Sequence, residues 1–222
     1  MRQKLRLKHS VASAMFAGAL AASSPLWAQV APPEAETEQN GAEQAPAPET
    51  HQDFEADLTE AELRARHLDG LFERLAEPEN PDWQRIQGQI WAAWSQSGSA
   101  SMDLLMNRAE WAMEDRDYET ALTHLNDLVR LAPNFAEGWN KRATVYFLQG
   151  EYGASVADIQ KTLLLEPRHF GALSGLGIIL DRLGDKKGAL TAYRRVVELH
   201  PNMEPAQEAI RRLAPDVDGR EL

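Results

Sequence analysis

The sequence predicts an all-α fold, a right-handed solenoid of antiparallel helix pairs closed by a C-terminal capping helix. Three observations lead to it. The tripeptides Leu131-Ala132-Pro133, Leu165-Glu166-Pro167 and Leu199-His200-Pro201 set successive prolines 34 residues apart, and a fixed period of that length marks stacked helix–turn–helix units. With each proline at place 32, place eight holds Ala109, Ala143 and Gly177, and place twenty holds Ala121, Ser155 and Ala189. Only small side chains let two helices cross that closely. Gly150 and Gly184 fall between the two helices of a unit, where a left-handed cap is needed.

Residues 1–28 read as a leader. Arg2, Lys4, Arg6 and Lys8 precede an apolar run from Val11 to Ala22, and small residues up to Ala28 follow. This is the order of a cleavable secretory signal peptide, and the run falls short of the ~20 apolar residues a spanning helix needs. Cleavage would remove four of the 23 basic residues and none of the 34 acidic ones, taking the formal charge from −11 to −15. Nucleic-acid binders carry a basic face and anionic membranes attract one, so neither is expected as a direct partner. From residue 29 to 57 the chain is rich in Ala, Glu, Gln and Pro, and ten acidic residues, Glu34 through Glu62, pass before Arg64. Such a stretch buries too little apolar surface to offset chain entropy, so a disordered acidic linker is expected.

Order is expected from residue 58. Thr59 with Glu62 three residues later is a capping box, and Leu63, His67, Leu68, Leu71, Phe72 and Leu75 then recur at helical spacing. Pro78-Glu79-Asn80-Pro81 ends that helix. Asn80 as N-cap and Pro81 at the first position would start the next, with Trp83, Ile86, Ile90, Trp91 and Trp94 on one stripe and Ser97-Gly98-Ser99 after it. This divergent pair, 58–100, lacks a closing proline and is expected to cap the open end of the array. Three regular repeats follow at 102–135, 136–169 and 170–203, then a capping helix at 204–214 and a disordered tail at 215–222. Arg116 stands where later repeats have Gly150 and Gly184, which predicts a less regular first turn. Trp91, Trp94 and Trp139 match core places, and Trp83 and Trp111 are expected in the core as well.

Spacing, small places and turn glycines agree independently, and from Met102 to Pro201 the chain resembles the tetratricopeptide repeat family. The stretches Glu137-Gly138-Trp139-Asn140-Lys141-Arg142-Ala143-Thr144 and Glu166-Pro167-Arg168-His169-Phe170-Gly171-Ala172-Leu173 are similar to a group of exported proteobacterial members with no settled activity, which implies a periplasmic location. The resemblance implies a non-enzymatic scaffold whose first helices line a concave groove that takes a protein or peptide partner. Carried over place by place, that lining is Met106, Asn107 and Glu110, then Asn140, Lys141, Thr144, Phe147 and Leu148, then Ser174, Gly175, Ile178 and Arg182. Asn140, Lys141, Thr144, Phe147 and Ser174 form its centre. Members that grip a C-terminal carboxylate use Lys and Asn at set places. Met106, Glu110 and Gly171 occupy three of these here, so that clamp is not expected. In one variant of the repeat an Arg at place seven pairs with an Asp at place twenty-three. Arg142 and Asp158 hold those places, which implies a structural ion pair.

Catalytic and cofactor chemistry finds little support. The chain has no Cys, which excludes disulfides, thiolate metal sites and Cys nucleophiles. The six histidines lack the helical i, i+4 partners of a ligating pair, and no metal or cofactor is expected. A second functional reading is self-association through the Trp-rich first helix pair, and a third gives the acidic linker the functional role.

Overall fold

The computed structural model describes residues 58–219. The expected leader, the acidic linker and tail residues 220–222 lie outside the described residues. Within them the chain forms nine helices and no strand: α1 (Glu60–Leu75), α2 (Trp83–Trp94), α3 (Ala100–Glu114), α4 (Tyr118–Leu131), α5 (Ala136–Leu148), α6 (Tyr152–Leu165), α7 (Phe170–Arg182), α8 (Lys186–Leu199) and α9 (Glu204–Val217). None of these is long and apolar enough to cross a membrane.

The pairs α3/α4, α5/α6 and α7/α8 close on the small places. Ala109, Ala121 and Ala189 are fully buried, and Ala143 and Ser155 nearly so. The Ser155 hydroxyl donates to the Ala143 carbonyl at 2.7 Å, which ties α6 to α5 at the crossing. A methyl group on Gly177 would come within 2.8 Å of the Tyr193 ring, so the third crossing has no room for a Cβ.

The first turn is as regular as the others, contrary to expectation. Arg116 adopts the left-handed backbone itself, φ 59°, beside φ 81° at Gly150 and 84° at Gly184. The three closing bonds match: Asp117 N–H to Ala112 O at 2.8 Å, Glu151 N–H to Tyr146 O at 2.9 Å and Asp185 N–H to Leu180 O at 2.9 Å. The repeat imposes the turn geometry, and Arg116 bears the strain of a Cβ in that region.

Thr59 and Glu62 form the reciprocal capping box, Thr59 N–H donating to Glu62 Oε2 at 2.8 Å and Glu62 N–H to Thr59 Oγ1 at 3.3 Å. The second helix starts later than expected, at Trp83 with Asp82 as N-cap. Asn80 instead shapes the turn: its Oδ1 accepts from Asp82 N–H at 2.9 Å, and its Nδ2 donates to Arg74 O at 3.0 Å.

The larger correction concerns where this pair lies. It does not cap the open end of the array before α3. Leu71, Phe72, Leu75, Ile86, Ile90 and Trp94 share one core with Phe170, Leu173, Leu190, Tyr193, Val196 and Leu213, so the α1/α2 hairpin packs on α7, α8 and α9. Its aromatic residues meet the loops that precede α7 and α9. Trp94 stacks on His169 at 4.1 Å, Trp91 sits edge-on to Phe170 at 5.4 Å and Trp83 lies 5.3 Å from His200. At the rim, Arg168 reaches Asp69 at 2.7 Å and lies over the Phe72 ring. The tryptophans expected to mediate self-association are therefore turned into the molecule's own core. Trp111, expected in the core, is 63% exposed.

The capping helix runs to Val217, past the expected end at 214. The first tail residues are pinned to α8 by Lys186–Asp216 at 2.6 Å and by an Arg194–Asp218 pair.

Removing the strain at the first turn should stabilise the fold: Arg116→Gly is expected to raise unfolding free energy by ~1 kcal/mol, measured by chemical denaturation against Gly150→Ala, which should lower it.

Candidate groove between α5 and α7

The first helices of the second and third repeats leave a cleft of about 240 Å³ between them, floored by α6. Its floor is apolar: Ala143 and Phe147 from α5, Ile159 from α6, Ala172 and Ile179 from α7. Its edges carry Asn140, Thr144 and Ser174, and Ile178 stands at the outer lip. Helical periodicity explains the grouping, since 140, 143, 144 and 147 share one face of α5 and 171, 174, 175 and 178 one face of α7. The cleft exists because Gly171, Ser174 and Gly175 present almost no side-chain bulk to it.

The edge hydroxyls are oriented by their own helices. Thr144 Oγ1 donates to Asn140 O at 3.0 Å, and Ser174 Oγ donates to Phe170 O at 2.8 Å. Ser174 Oγ also lies 3.5 Å from Met203 Sδ, so the hydroxyl is held at the α7 edge from two sides. Asn140 donates through Nδ2 to Glu137 Oε2 at 3.1 Å.

Six of the twelve expected lining residues border the cleft together: Asn140, Thr144, Phe147, Ser174, Gly175 and Ile178. Lys141, Asn107, Glu110 and Arg182 are outside its walls. Lys141 binds Glu110 at 2.7 Å and faces Glu137 at 3.7 Å. Burial alone would lower the Lys141 ammonium, but the hydrogen bonds and charge of the two glutamates outweigh it and hold it raised. Asn107 stands exposed on α3. The Arg182 guanidinium covers Phe147 at 4.7 Å and donates to Tyr152 Oη at 3.0 Å, closing one end of the cleft. Met106, also carried into the lining, is buried in the first repeat's core instead.

Arg142 and Asp158 meet in a bidentate pair, Nε to Oδ2 at 2.6 Å and Nη2 to Oδ1 at 2.8 Å, with side chains 16% and 7% exposed. The third nitrogen, Nη1, donates to Asn126 Oδ1 at 2.8 Å, so one guanidinium joins α4, α5 and α6.

Sequence reasoning missed the two residues that anchor the hairpin. His169 Nδ1 accepts the Ala172 N–H at 3.1 Å as the N-cap of α7, which leaves the ring proton on Nε2, facing Glu137 Oε2 at 2.9 Å. Both side chains are fully or almost fully buried. His200 donates through Nε2 to Gln87 Oε1 at 2.7 Å, while its Nδ1 is buried with no hydrogen bond. The signals were present: His200 directly precedes a repeat proline, His169 follows one by two residues, and Phe72, Trp83, Trp91 and Trp94 of the hairpin needed a surface to bury against. No cluster of His, Asp or Glu among the described residues could hold a metal ion.

Stacked helix pairs with a cleft between first helices define an α-solenoid of the protein-interaction class. The tetratricopeptide repeat model matches residues 106–163 and 149–204. A tetratricopeptide repeat-containing protein of Rhizobium etli is 40% identical over 155 residues, covering 69% of this chain and 76% of the relative. The chain belongs to the tetratricopeptide repeat family. The small glutamine-rich tetratricopeptide repeat-containing protein 2 of Saccharomyces cerevisiae is 25% identical over 159 residues, 70% of this chain and 45% of that protein, so the chain spans less than half of its length. Among solved structures, the first tetratricopeptide domain of Spaghetti (RPAP3), bound to the HSP90 peptide SRMEEVD, superposes on 53% of this chain and 93% of its own with a TM-score of 0.51 at 20% identity, a likeness of fold.

Two outcomes follow. Asp158→Ala strands the Arg142 charge and is expected to cost about 3 kcal/mol, read from denaturant midpoints. Burial pushes the His200 imidazole down from 6.5 to about 4. Between those values the unfolded chain binds a proton that the folded chain does not, so stability is full above pH 6.5 and falls as pH drops towards 4. The loss from this group is on the order of 3 kcal/mol, and His200→Gln should flatten that part of a stability–pH profile.

Proposed function

We propose that this protein is a non-enzymatic interaction module of the bacterial envelope that holds an extended peptide segment of a partner protein in the α5/α7 cleft. The observation that supports this most is the pairing of an apolar floor with the polar side chains of Asn140, Thr144 and Ser174 along its edges. An extended peptide offers the complement, apolar side chains alternating with backbone amides. The relatives support a protein partner, and the peptide bound to the Spaghetti domain shows that a neighbour of this fold takes one.

An internal segment fits better than a C-terminal carboxylate. Lys141 is already neutralised by two glutamates, Met106 is buried, and the Gly171 end is closed off by Trp91, whose ring would lie 2.5 Å from a Gly171 Cβ. The envelope location rests on the order of basic, apolar and small residues over 1–28 and on the resemblance to exported members.

Ile178→Glu and Thr144→Arg alter exposed side chains of the cleft without touching its floor. Each should reduce retention of the partner captured by wild-type protein by about tenfold or more, a 1.4 kcal/mol loss, with the melting temperature unchanged. Partners retained in full by both variants would refute the cleft as the binding site. The export reading predicts that the N-terminus of the protein recovered from the periplasm is Gln29, and a full-length cytoplasmic product would contradict it.

A further inference from the structure

Of the three charged side chains carried into the groove, one keeps its charge unmet. Lys141 and Glu110 pair with each other at 2.7 Å. Arg182 has no acidic partner among the described residues, and the carboxylate next to it in the chain, Asp181, is held by Arg212 at 2.5 Å. The contacts of Arg182 are neutral: the face of Phe147 at 4.7 Å and the hydroxyl oxygen of Tyr152 at 3.0 Å. That hydroxyl accepts from Arg182 Nη1, and its own proton has no acceptor among the described residues. The remaining guanidinium N–H groups and the Tyr152 O–H therefore stand side by side as donors at one end of an apolar cleft. Arg182 is exposed, and it lies one turn beyond Ile178 of the outer lip, on the same face of α7.

The cleft beside these donors takes a single anchor. Its volume is about 240 Å³, and an apolar cavity of ~150 Å³ already holds a benzene ring, so one large side chain fits and two do not. Gly175 makes the room, since a Cβ there would touch only Ile159 Cδ1, at 3.6 Å. In an extended segment the chain advances ~3.4 Å per residue and alternate side chains share a face, so same-side neighbours are ~7 Å apart. A side chain seated on the Phe147 ring thus has one same-side neighbour over Arg182, whose guanidinium carbon lies 4.7 Å from that ring.

We propose that the cleft selects a partner segment with one large apolar residue on the floor and an acidic residue two positions away, its carboxylate bound by Arg182 and Tyr152. This rests on the reading of the cleft as a peptide site and adds the sequence that such a site prefers. The apolar residue supplies the buried area, and the acid fixes which way and in which register the segment lies.

A random peptide library with blocked termini, selected on the full chain, tests both levels. Wild type should enrich Phe, Leu or Met two positions from Glu or Asp. A selected peptide should lose about tenfold in affinity when its acid is changed to Lys, because attraction is exchanged for repulsion at an exposed pair, and Arg182→Glu should reverse that preference. Gly175→Met fills the cleft from a helical position and should abolish binding of every selected peptide with the melting temperature kept. Peptides that share the apolar residue but no acid, or an acid preference that Arg182→Glu leaves unchanged, overturn this proposal and leave the cleft as a peptide site. Peptides that Gly175→Met binds as well as wild type does, or a library that yields none, overturn both. Binding seen only after residues 29–57 are deleted would make the chain's own segment the occupant and likewise overturn the proposal.

Discussion

The placement of the α1/α2 hairpin depends on one contact, the Trp94 indole stacked on the His169 imidazole with ring centroids 4.1 Å apart and planes within 10°. The imidazole can act as a platform because it cannot rotate. One nitrogen accepts the N-terminal amide of α7 and the other faces Glu137, all out of water. Around it Phe72, Trp91 and Phe170 pack edge-on or tilted within 6.3 Å of one another's rings or of Trp94. Aromatic pairs of this kind add ~0.5–1.5 kcal/mol each beyond the area they bury. Their sum makes the hairpin part of the same core as the third repeat.

Two features of the surface follow from that docking. Trp91 closes the Gly171 end of the α5/α7 cleft, and Arg182 over Phe147 closes the other, so the cleft has a defined length. The same docking takes the hairpin away from α3 and leaves Leu104 and Trp111 in solvent. The cleft and the bare end are thus two results of one choice of packing partner.

Much of the repeat was legible in the sequence because its constraints are local. Small residues at the helix crossings, prolines after the second helices and glycines in the turns each answer to geometry within 34 residues. Six of the residues lining the cleft could be read for the same reason, since helical periodicity alone puts them on facing surfaces. The hairpin's position was not legible. Its stripe of Trp83, Ile86, Ile90 and Trp94 announces a buried face but not which surface it buries against, and the contacts it makes span 75 to more than 110 residues of chain, as between Trp94 and His169 or Gln87 and His200. Arg116 shows the limit from the other side: a residue that disfavours a left-handed turn adopts it because the helices on both sides require it. Lys141 was read as a groove cation, and the two glutamates that occupy it come from different helices, Glu110 on α3 and Glu137 on α5.

Native-state hydrogen exchange tests the docking of the hairpin most directly. If Trp94 and His169 hold α2 in one core with the third repeat, the amides of residues 86–94 should exchange as slowly as those of 189–196 and through the same global opening. Fast exchange in 86–94 while α7 and α8 stay protected would show a hairpin that opens independently, and would contradict the account given of both surfaces.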